Sequence, residues 1–192
     1  LPIGPHQYGS WGITRKGLIS FMHKHAIQSD RLILVDLRGE AHLFINDIPW
    51  YLEQPPITNG PDLIAYERNL AKKIRHGTLK ELKVLHKSGD YKKKVREFLP
   101  KPIPSHAQVT TEADIAQVLG IHYIRIPNED HGCPTIDSIY AFIQSVAPFY
   151  NDNRTTILIH CNGGQGRTTF YAIVLDMLAH AHEQALDDII AH

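Results

Sequence analysis

The chain has 192 residues, a length that fits one domain, 1–192, and allows a buried core without a metal or a disulfide framework. Hydrophobic residues make up 43% of the chain and charged residues 21%, values that exclude a disordered protein. The formal net charge is zero, and no nucleic-acid partner is predicted. No run of about 18 apolar residues occurs, so no transmembrane helix is predicted.

The first half of the chain contains one clear strand and one clear helix. The apolar run at 31–37 predicts a strand that is buried on both faces. A helix is predicted from Pro61 to Lys73, ended by Gly77, with basic residues in its last turn where the helix dipole favours them. The proline-rich segments 54–61 and 100–104 predict surface loops.

The second half alternates strands with helices. A capped helix is predicted at 111–120 and a strand at 121–126. An amphipathic helix begins at Pro134-Thr135, and a buried strand at 155–159 precedes a largely apolar helix at 168–181. This alternation predicts an α/β fold with a central, mostly parallel sheet flanked by helices. The apolar residues at helical spacing in the amphipathic helix are Ile136, Ile139, Phe142, Ile143 and Val146.

Positive charge is concentrated in residues 72–101, which hold eleven Lys and Arg against three acids. One interpretation is a solvated surface of helix and loop. The other is a positive rim that attracts a polyanion.

The segment after the strand at 155–159 carries the pattern of a phosphate-binding site. Cys161 ends the strand, and Arg167 opens the following helix. A phosphate between them would meet the positive end of the helix dipole. Backbone N–H groups can turn inward to form an anion-binding nest at the intervening glycines, Gly163, Gly164 and Gly166.

The same segment can activate a sulfur nucleophile. A thiol pKa of about 8.5 falls to roughly 3.5–7.5 at a helix N-terminus surrounded by donors, which makes Cys161 a candidate thiolate. Arg167 can bind two phosphoryl oxygens in its planar fork. Thr168 can donate a hydrogen bond to the sulfur, and His160 is expected to support the loop through its ring nitrogens. The structural alternative is a buried free cysteine in a glycine-rich turn.

A thiolate that displaces an alkoxide also needs a proton donor. Asp130 lies in a loop between the predicted strand at 121–126 and the helix that follows, where catalytic groups are commonly carried. The alternative is that Asp130 only caps the helix near Pro134.

The segment His160-Cys161-x-x-Gly164-x-x-Arg167-Thr168 resembles the signature of the cysteine phosphatase superfamily. More narrowly, the chain resembles the bacterial protein-tyrosine-phosphatase-like phytases, which are inositol polyphosphate phosphatases. Residues 35–40 with 48–50, residues 123–135 and the loop at 160–169 carry the match, which spans roughly residues 30 to 180.

The resemblance implies a protein-tyrosine-phosphatase-like fold and hydrolysis of phosphate monoesters with no metal or cofactor. Cys161 would be the nucleophile, Arg167 the phosphate ligand, and Asp130 first the general acid and then the base. The implied substrate is a small polyanion, myo-inositol polyphosphate. The residues implied to face it are Asp36, Arg38, His131, Asn162, Gly163, Gly164, Gln165 and Gly166. Alternatively, His131 packs within its loop, and Arg38 forms a salt bridge with Glu40.

Some features depart from the family pattern. Asn162 and Gln165 are neutral, so phosphoinositide phosphatases with basic loop residues are less similar, and charge for a polyanion must come from the pocket wall. Cys133 stands where an apolar residue is expected, either as a small buried residue or as a disulfide partner of Cys161 under oxidation. Family members continue past the loop helix, whereas this chain stops at His192, so part of the fold or pocket is expected to be missing.

Other functions stay open. The same chemistry serves phosphotyrosine, dual-specificity and phosphoinositide phosphatases, and a phosphatase fold can also bind phosphate without turnover. A zinc site is rejected, because His180 and His182 point to different faces of a helix, and His23 and His25 have no partner at ligand spacing. The sequence does not indicate an oligomeric state. It is compatible with a secreted or periplasmic bacterial enzyme and with a protein delivered into a host cell.

Overall fold

The computed structural model describes residues 6–10, 12–53, 55–86, 97–150 and 152–180. Within these ranges the strands are β1 (His6–Ser10), β2 (Leu32–Arg38), β3 (His42–Ile45), β4 (Ile48–Tyr51), β5 (Glu81–His86), β6 (Glu97–Pro102), β7 (Val109–Thr110), β8 (His122–Asn128) and β9 (Thr156–His160). The helices are α1 (Arg15–Lys24), α2 (Gly60–Arg75), α3 (Glu112–Leu119), α4 (Ile136–Val146) and α5 (Gly166–His180).

The central sheet has the strand order β1-β9-β2-β8, and all of its neighbouring strands are parallel. Val35 of β2 pairs with Ile159 on one side and Ile124 on the other. Every residue of β2 and β9 is buried, as expected for strands covered on both faces. This sheet confirms the predicted α/β fold, and it brings the carboxyl ends of β2, β8 and β9 to one edge.

Helices cover both faces of the central sheet. α4 and α5 pack on one face, where the rings of Phe142 and Tyr171 lie 4.6 Å apart between their centres. α1 and α3 pack on the other face, where Leu18 and Ile115 join Leu34 and Leu158 of the sheet in one core. Burial of these apolar side chains on both faces is the main favourable term in folding. Among the described residues, no helix combines the length and the apolar composition of a membrane-spanning segment.

A second, antiparallel region was not predicted. Its three-stranded sheet has the order β4-β3-β7, and the antiparallel pair β5-β6 joins it through a bridge between Leu52 and Val84. The prediction of a loop at 100–104 is wrong for its first residues, because Pro100 and Lys101 pair with β5 within β6. The described residues of the charged segment past residue 80 belong mainly to the antiparallel strands β5 and β6, not to a helix and a loop.

The predicted helix ends agree with the structure in several places. The Oγ1 atom of Thr111 accepts a hydrogen bond from the N–H of Asp114 at 3.1 Å and caps α3, which Gly120 ends at a φ of +72°. α2 begins one residue before the predicted Pro61 and is capped by Asn59. α5 begins at Gly166, earlier than predicted. In α4 the apolar stripe is shorter than predicted, because its first member, Ile136, is 85% exposed.

Gly60 lies where the first turn of α2 meets the backbone of β8. A Cβ atom at this position would overlap the backbone oxygen of Arg125. We therefore expect Gly60→Ala to lower the free energy of unfolding by about 1–3 kcal/mol, as overpacking does elsewhere. Thermal unfolding of the variant and the parent measures the effect.

Gly166→Ala is the matched control for this stability measurement, because a Cβ atom there has no described neighbour within 4 Å. Equal unfolding temperatures for Gly60→Ala and the parent protein would contradict the close contact between α2 and β8.

Candidate active site

The loop between β9 and α5 forms one wall of a pocket of about 490 Å³. The pocket lies at the sheet edge where the parallel strands end, which is where ligands bind in open α/β sheets. Its lining residues are Asp130, His131, Gly132, Pro134, Cys161, Asn162, Gly163, Gln165, Gly166, Arg167 and Phe170. Most of the residues predicted to form the site are therefore brought together.

The thiol of Cys161 is only 3% exposed, and the hydroxyl of Thr168 donates to its sulfur at 3.2 Å. Burial raises the pKa of this thiol. Hydrogen bonds from Thr168 and from the N–H of Gly164, together with the charge of Arg167, lower the pKa further than burial raises it. The thiol pKa is therefore below its usual value, as a thiolate nucleophile requires.

Gly164 differs from the other predicted loop residues, because it does not line the pocket. Its φ is +65°, a left-handed conformation that glycine adopts without a steric penalty. This conformation lets its N–H act on the Cys161 sulfur.

Arg167 is 5% exposed and is fixed by three neighbours. Its Nη1 and Nη2 atoms donate to the Glu40 carboxylate at 2.8 and 3.1 Å, and Nη1 also donates to the backbone oxygen of Asn128 at 3.0 Å. Nη2 lies 3.0 Å from Oδ1 of Asp130. The buried Nε has no hydrogen-bond partner among the described residues. A buried donor without a partner is uncommon and calls for an acceptor.

Glu40 is a site residue that the sequence analysis did not identify. It was considered only as a partner of Arg38, and that pairing is wrong, because Glu40 binds Arg167 with both carboxylate oxygens. The available signal was position: Glu40 follows the carboxyl end of β2, at the same sheet edge as the end of β9.

Asp130 and His131 lie in the loop between β8 and α4, as predicted, and both line the pocket. The alternative that Asp130 caps α4 is wrong, because Thr135 is the cap and its Oγ1 accepts from the N–H of Ser138 at 3.2 Å. The side chain of His131 is 83% exposed, which argues against a role in packing the loop.

Asp36 and Arg38 do not face the pocket, so the prediction that they contact substrate is wrong. Both are fully buried. Arg38 donates to Asp36 from its backbone N–H at 3.0 Å and from Nε and Nη2 at 2.8 Å each. Arg38 also pairs with Glu112, the first residue of α3. These charges neutralise each other inside the protein, as buried ions must.

His160 is buried, and its Nε2 atom lies 2.7 Å from Oε1 of Glu112. This contact places the end of β9 beside the first turn of α3. Asp36, His42 and Glu112 present ligand atoms within 4.8 Å of one another. Arg38 already donates to both carboxylates, so a cation there would have to displace a buried guanidinium.

The predicted positive rim is not found among the described residues, because none of the described Lys and Arg of 72–101 lines the pocket. Lys101 instead lies 4.1 Å from the ring centre of Trp50. The residues at 87–96 lie outside the described part of the chain. Cys133 is exposed and free, so its prediction as a buried residue is wrong. It lines a neighbouring groove and not the pocket of Cys161.

The chain matches one protein family and one curated relative. The family model PTPlike_phytase, described as inositol hexakisphosphate, matches residues 35–179. The effector protein hopD2 of Pseudomonas syringae pv. tomato (strain ATCC BAA-871 / DC3000) is 25% identical over 166 residues. That match covers 86% of this chain and 35% of the relative, so the chain spans about a third of that relative's length.

Solved structures of PTP-like phytases are similar in fold. The PTP-like phytase from Bdellovibrio bacteriovorus has a TM-score of 0.68 at 26% identity, over 96% of this chain and 64% of its own. The tandemly repeated enzyme from Mitsuokella multacida has a TM-score of 0.75 at 22% identity, over 95% and 30%. The PTP-like myo-inositol phosphatase from the same organism, in complex with myo-inositol-(1,3,4,5)-tetrakisphosphate, gives 0.74 at 23%, over 95% and 30%.

Thr168→Ala should raise the pKa of Cys161, because it removes the hydroxyl hydrogen bond that stabilises the thiolate. One hydrogen bond contributes about 0.5–1.5 kcal/mol, which corresponds to an upward shift of roughly 0.4–1 pH unit. The pH dependence of iodoacetamide alkylation at Cys161 measures this shift in a Cys133→Ser background.

Thr169→Ala is the control, because the neighbouring Thr169 is exposed and has no described contact to the sulfur. An unchanged alkylation midpoint in Thr168→Ala would show that its hydroxyl does not stabilise the thiolate.

Proposed function

Since the chain belongs to the PTP-like phytase family, we propose that it hydrolyses phosphate monoesters without a metal, through a cysteinyl-phosphate intermediate, on myo-inositol polyphosphates such as phytate. One observation carries the proposal. The thiol of Cys161, whose pKa is lowered, shares a pocket with Arg167, whose buried Nε has no described partner. A nucleophile beside an arginine N–H that has no described acceptor, and could therefore bind a phosphoryl oxygen, suits phosphoryl transfer.

In the first step the Cys161 thiolate attacks phosphorus. The S–P bond forms as the P–O ester bond breaks, and the leaving oxygen takes a proton from Asp130. Arg167 and the loop N–H groups bind the phosphoryl oxygens, whose negative charge persists through the transfer.

In the second step water attacks the phosphocysteine. Asp130, now a carboxylate, accepts a proton from the water as the P–S bond breaks, so inorganic phosphate and the thiolate are released. The Thr168 hydroxyl stabilises the departing sulfur, which it contacts at 3.2 Å.

The contact between Asp130 and Arg167 connects binding with catalysis. Asp130 lies 3.0 Å from Nη2, a donor that a phosphate oxygen can also use. A bound phosphate therefore competes with Asp130 for this nitrogen and leaves the carboxyl group available to the leaving oxygen.

The choice of inositol polyphosphates is supported by the family description and by the neighbour in complex with an inositol tetrakisphosphate. A second candidate is an aryl phosphate such as phosphotyrosine. The pocket wall includes the apolar residues Phe170 and Pro134, and His131 is the only basic lining residue besides Arg167 among those described. An aromatic ring fits such a wall better than several phosphates do.

Phosphate release from inositol hexakisphosphate, compared with release from a phosphotyrosine peptide, tests the substrate class. With a chelator present throughout, we expect release from the inositol phosphate with the higher kcat/KM. Cys161→Ser should reduce release to background while phosphate still binds, because the loop donors remain.

A strong preference for the peptide would favour the aryl phosphate. Inhibition by the chelator would contradict metal-free chemistry, and activity retained in Cys161→Ser would exclude the thiolate mechanism.

Asp130→Asn should lower kcat/KM with phenyl phosphate by about 10²–10⁴-fold, because a poor leaving group needs the proton. With p-nitrophenyl phosphate kcat/KM should fall much less, and the fall of kcat/KM at alkaline pH should disappear. Steady-state kinetics across pH measures both effects.

Asp137→Asn is the control, because Asp137 is an exposed carboxylate in the first turn of α4 and does not line the catalytic pocket. If Asp130→Asn lowered kcat/KM equally with phenyl phosphate and p-nitrophenyl phosphate, another residue would have to be the acid.

A further inference from the structure

Asn128, the last residue of β8, is held by its side chain in a buried group of polar contacts. Its Oδ1 atom accepts from the hydroxyl of Tyr171 at 3.0 Å and is 3.0 Å from the hydroxyl of Ser138. Its Nδ2 atom donates to the backbone oxygen of Ile126 at 2.8 Å. The side chain at position 128 must therefore carry both a hydrogen-bond acceptor and a hydrogen-bond donor. An amide provides both, and a carboxylate does not.

The backbone of the same residue contacts the site. Its carbonyl oxygen accepts from Nη1 of Arg167 at 3.0 Å and from the N–H of Gly39 at 2.9 Å. Gly39 directly precedes Glu40, the carboxylate partner of Arg167. Asn128 therefore touches the arginine and the segment that orients it.

The three side chains also connect both ends of the acid-bearing loop to one helix. Asn128 lies at the start of this loop, and Ser138 lies in the first turn of α4, where the loop ends. Tyr171 bonds to both, with its hydroxyl 3.0 Å from the Ser138 Oγ. Tyr171 lies on α5, one helical turn after Arg167. Helix α5, which carries Arg167, thus also anchors the loop that carries Asp130.

We infer that Asn128, held by Tyr171 and Ser138, is a positioning residue that sets the place of Asp130 relative to the phosphate bound at Arg167. This inference rests on the proposed function, because it needs Asp130 as the proton donor. It differs from a role in packing. The Tyr171 ring already packs against Phe142, whereas its hydroxyl donates a hydrogen bond to Oδ1 of Asn128.

Tyr171→Phe tests this inference, because it keeps the ring and removes only the hydroxyl. We expect kcat/KM with phenyl phosphate, which reports the steps up to release of the leaving group, to fall about tenfold, since a misplaced acid loses part of its 10²–10⁴-fold contribution. With p-nitrophenyl phosphate, whose leaving group needs little protonation, kcat/KM should change less than about twofold. The affinity for inorganic phosphate should stay close to the parent value, because Arg167 and the N–H groups of the loop at Cys161 are unaltered.

Tyr150→Phe is the matched control. It removes a buried hydroxyl that has no hydrogen-bond partner among the described residues, from a ring packed against the same core. We expect both rates to stay unchanged in it. Ser138→Ala removes the other hydroxyl and should reproduce the leaving-group dependence of Tyr171→Phe. It carries the test if Tyr171→Phe does not fold, which its thermal unfolding would show.

The inference would be overturned if Tyr171→Phe and Ser138→Ala lowered kcat/KM equally with phenyl phosphate and p-nitrophenyl phosphate, or lowered it with neither. A wild-type chain with no phosphatase activity, or an Asp130→Asn variant without leaving-group dependence, would instead overturn the proposed function. A normal wild type and the expected Asp130→Asn behaviour, combined with parent-like kinetics in Tyr171→Phe and Ser138→Ala, would overturn the positioning role alone.

Discussion

Charged side chains lie out of water where the central strands end, and each must be neutralised there, because removing an ion from water costs several kcal/mol. Arg38 and Arg125 both donate to Asp36, and Arg125 also reaches Glu67. Arg125 further donates to the backbone oxygens of Arg38 and Glu40 at 2.8 and 2.9 Å. These contacts form only when β2 and β8 pair in the observed register. The network therefore fixes the backbone around Glu40 without any contribution from substrate.

The pocket of Cys161 depends on this buried network. Glu40, placed by Arg125, holds the guanidinium of Arg167 in one orientation. Arg167 contributes to the lowered pKa of Cys161, and Glu112 of the network contacts His160, the residue before that cysteine. The thiol of Cys161 and the guanidinium of Arg167 are thus preorganised by buried charges, as the proposed catalysis requires.

Local patterns in the sequence predicted much of the central fold. The apolar runs that form β2 and β9 are stable only when they are buried on both faces. The caps Thr111, Gly120 and Thr135 form hydrogen bonds to backbone groups of the helices that they end. The antiparallel region was missed because its strands are short and contain prolines, such as Pro49 and Pro100, which weaken any strand pattern. The pairing of β3 with β7 also joins segments that are distant in the chain, which periodicity does not report.

By itself, the sequence determined the loop that carries the proposed nucleophile, because Cys161, the glycines and Arg167 are neighbours along the chain and their chemistry follows from one strand-to-helix turn. Only the tertiary structure decided the partners of that loop. Glu40 is 127 residues from Arg167 and Asn128 is 39 residues away, and which carboxylate reaches which arginine depends on strand register. For this reason Arg38, assigned to the substrate on its local motif, is a buried structural ion, whereas Glu40 became part of the site.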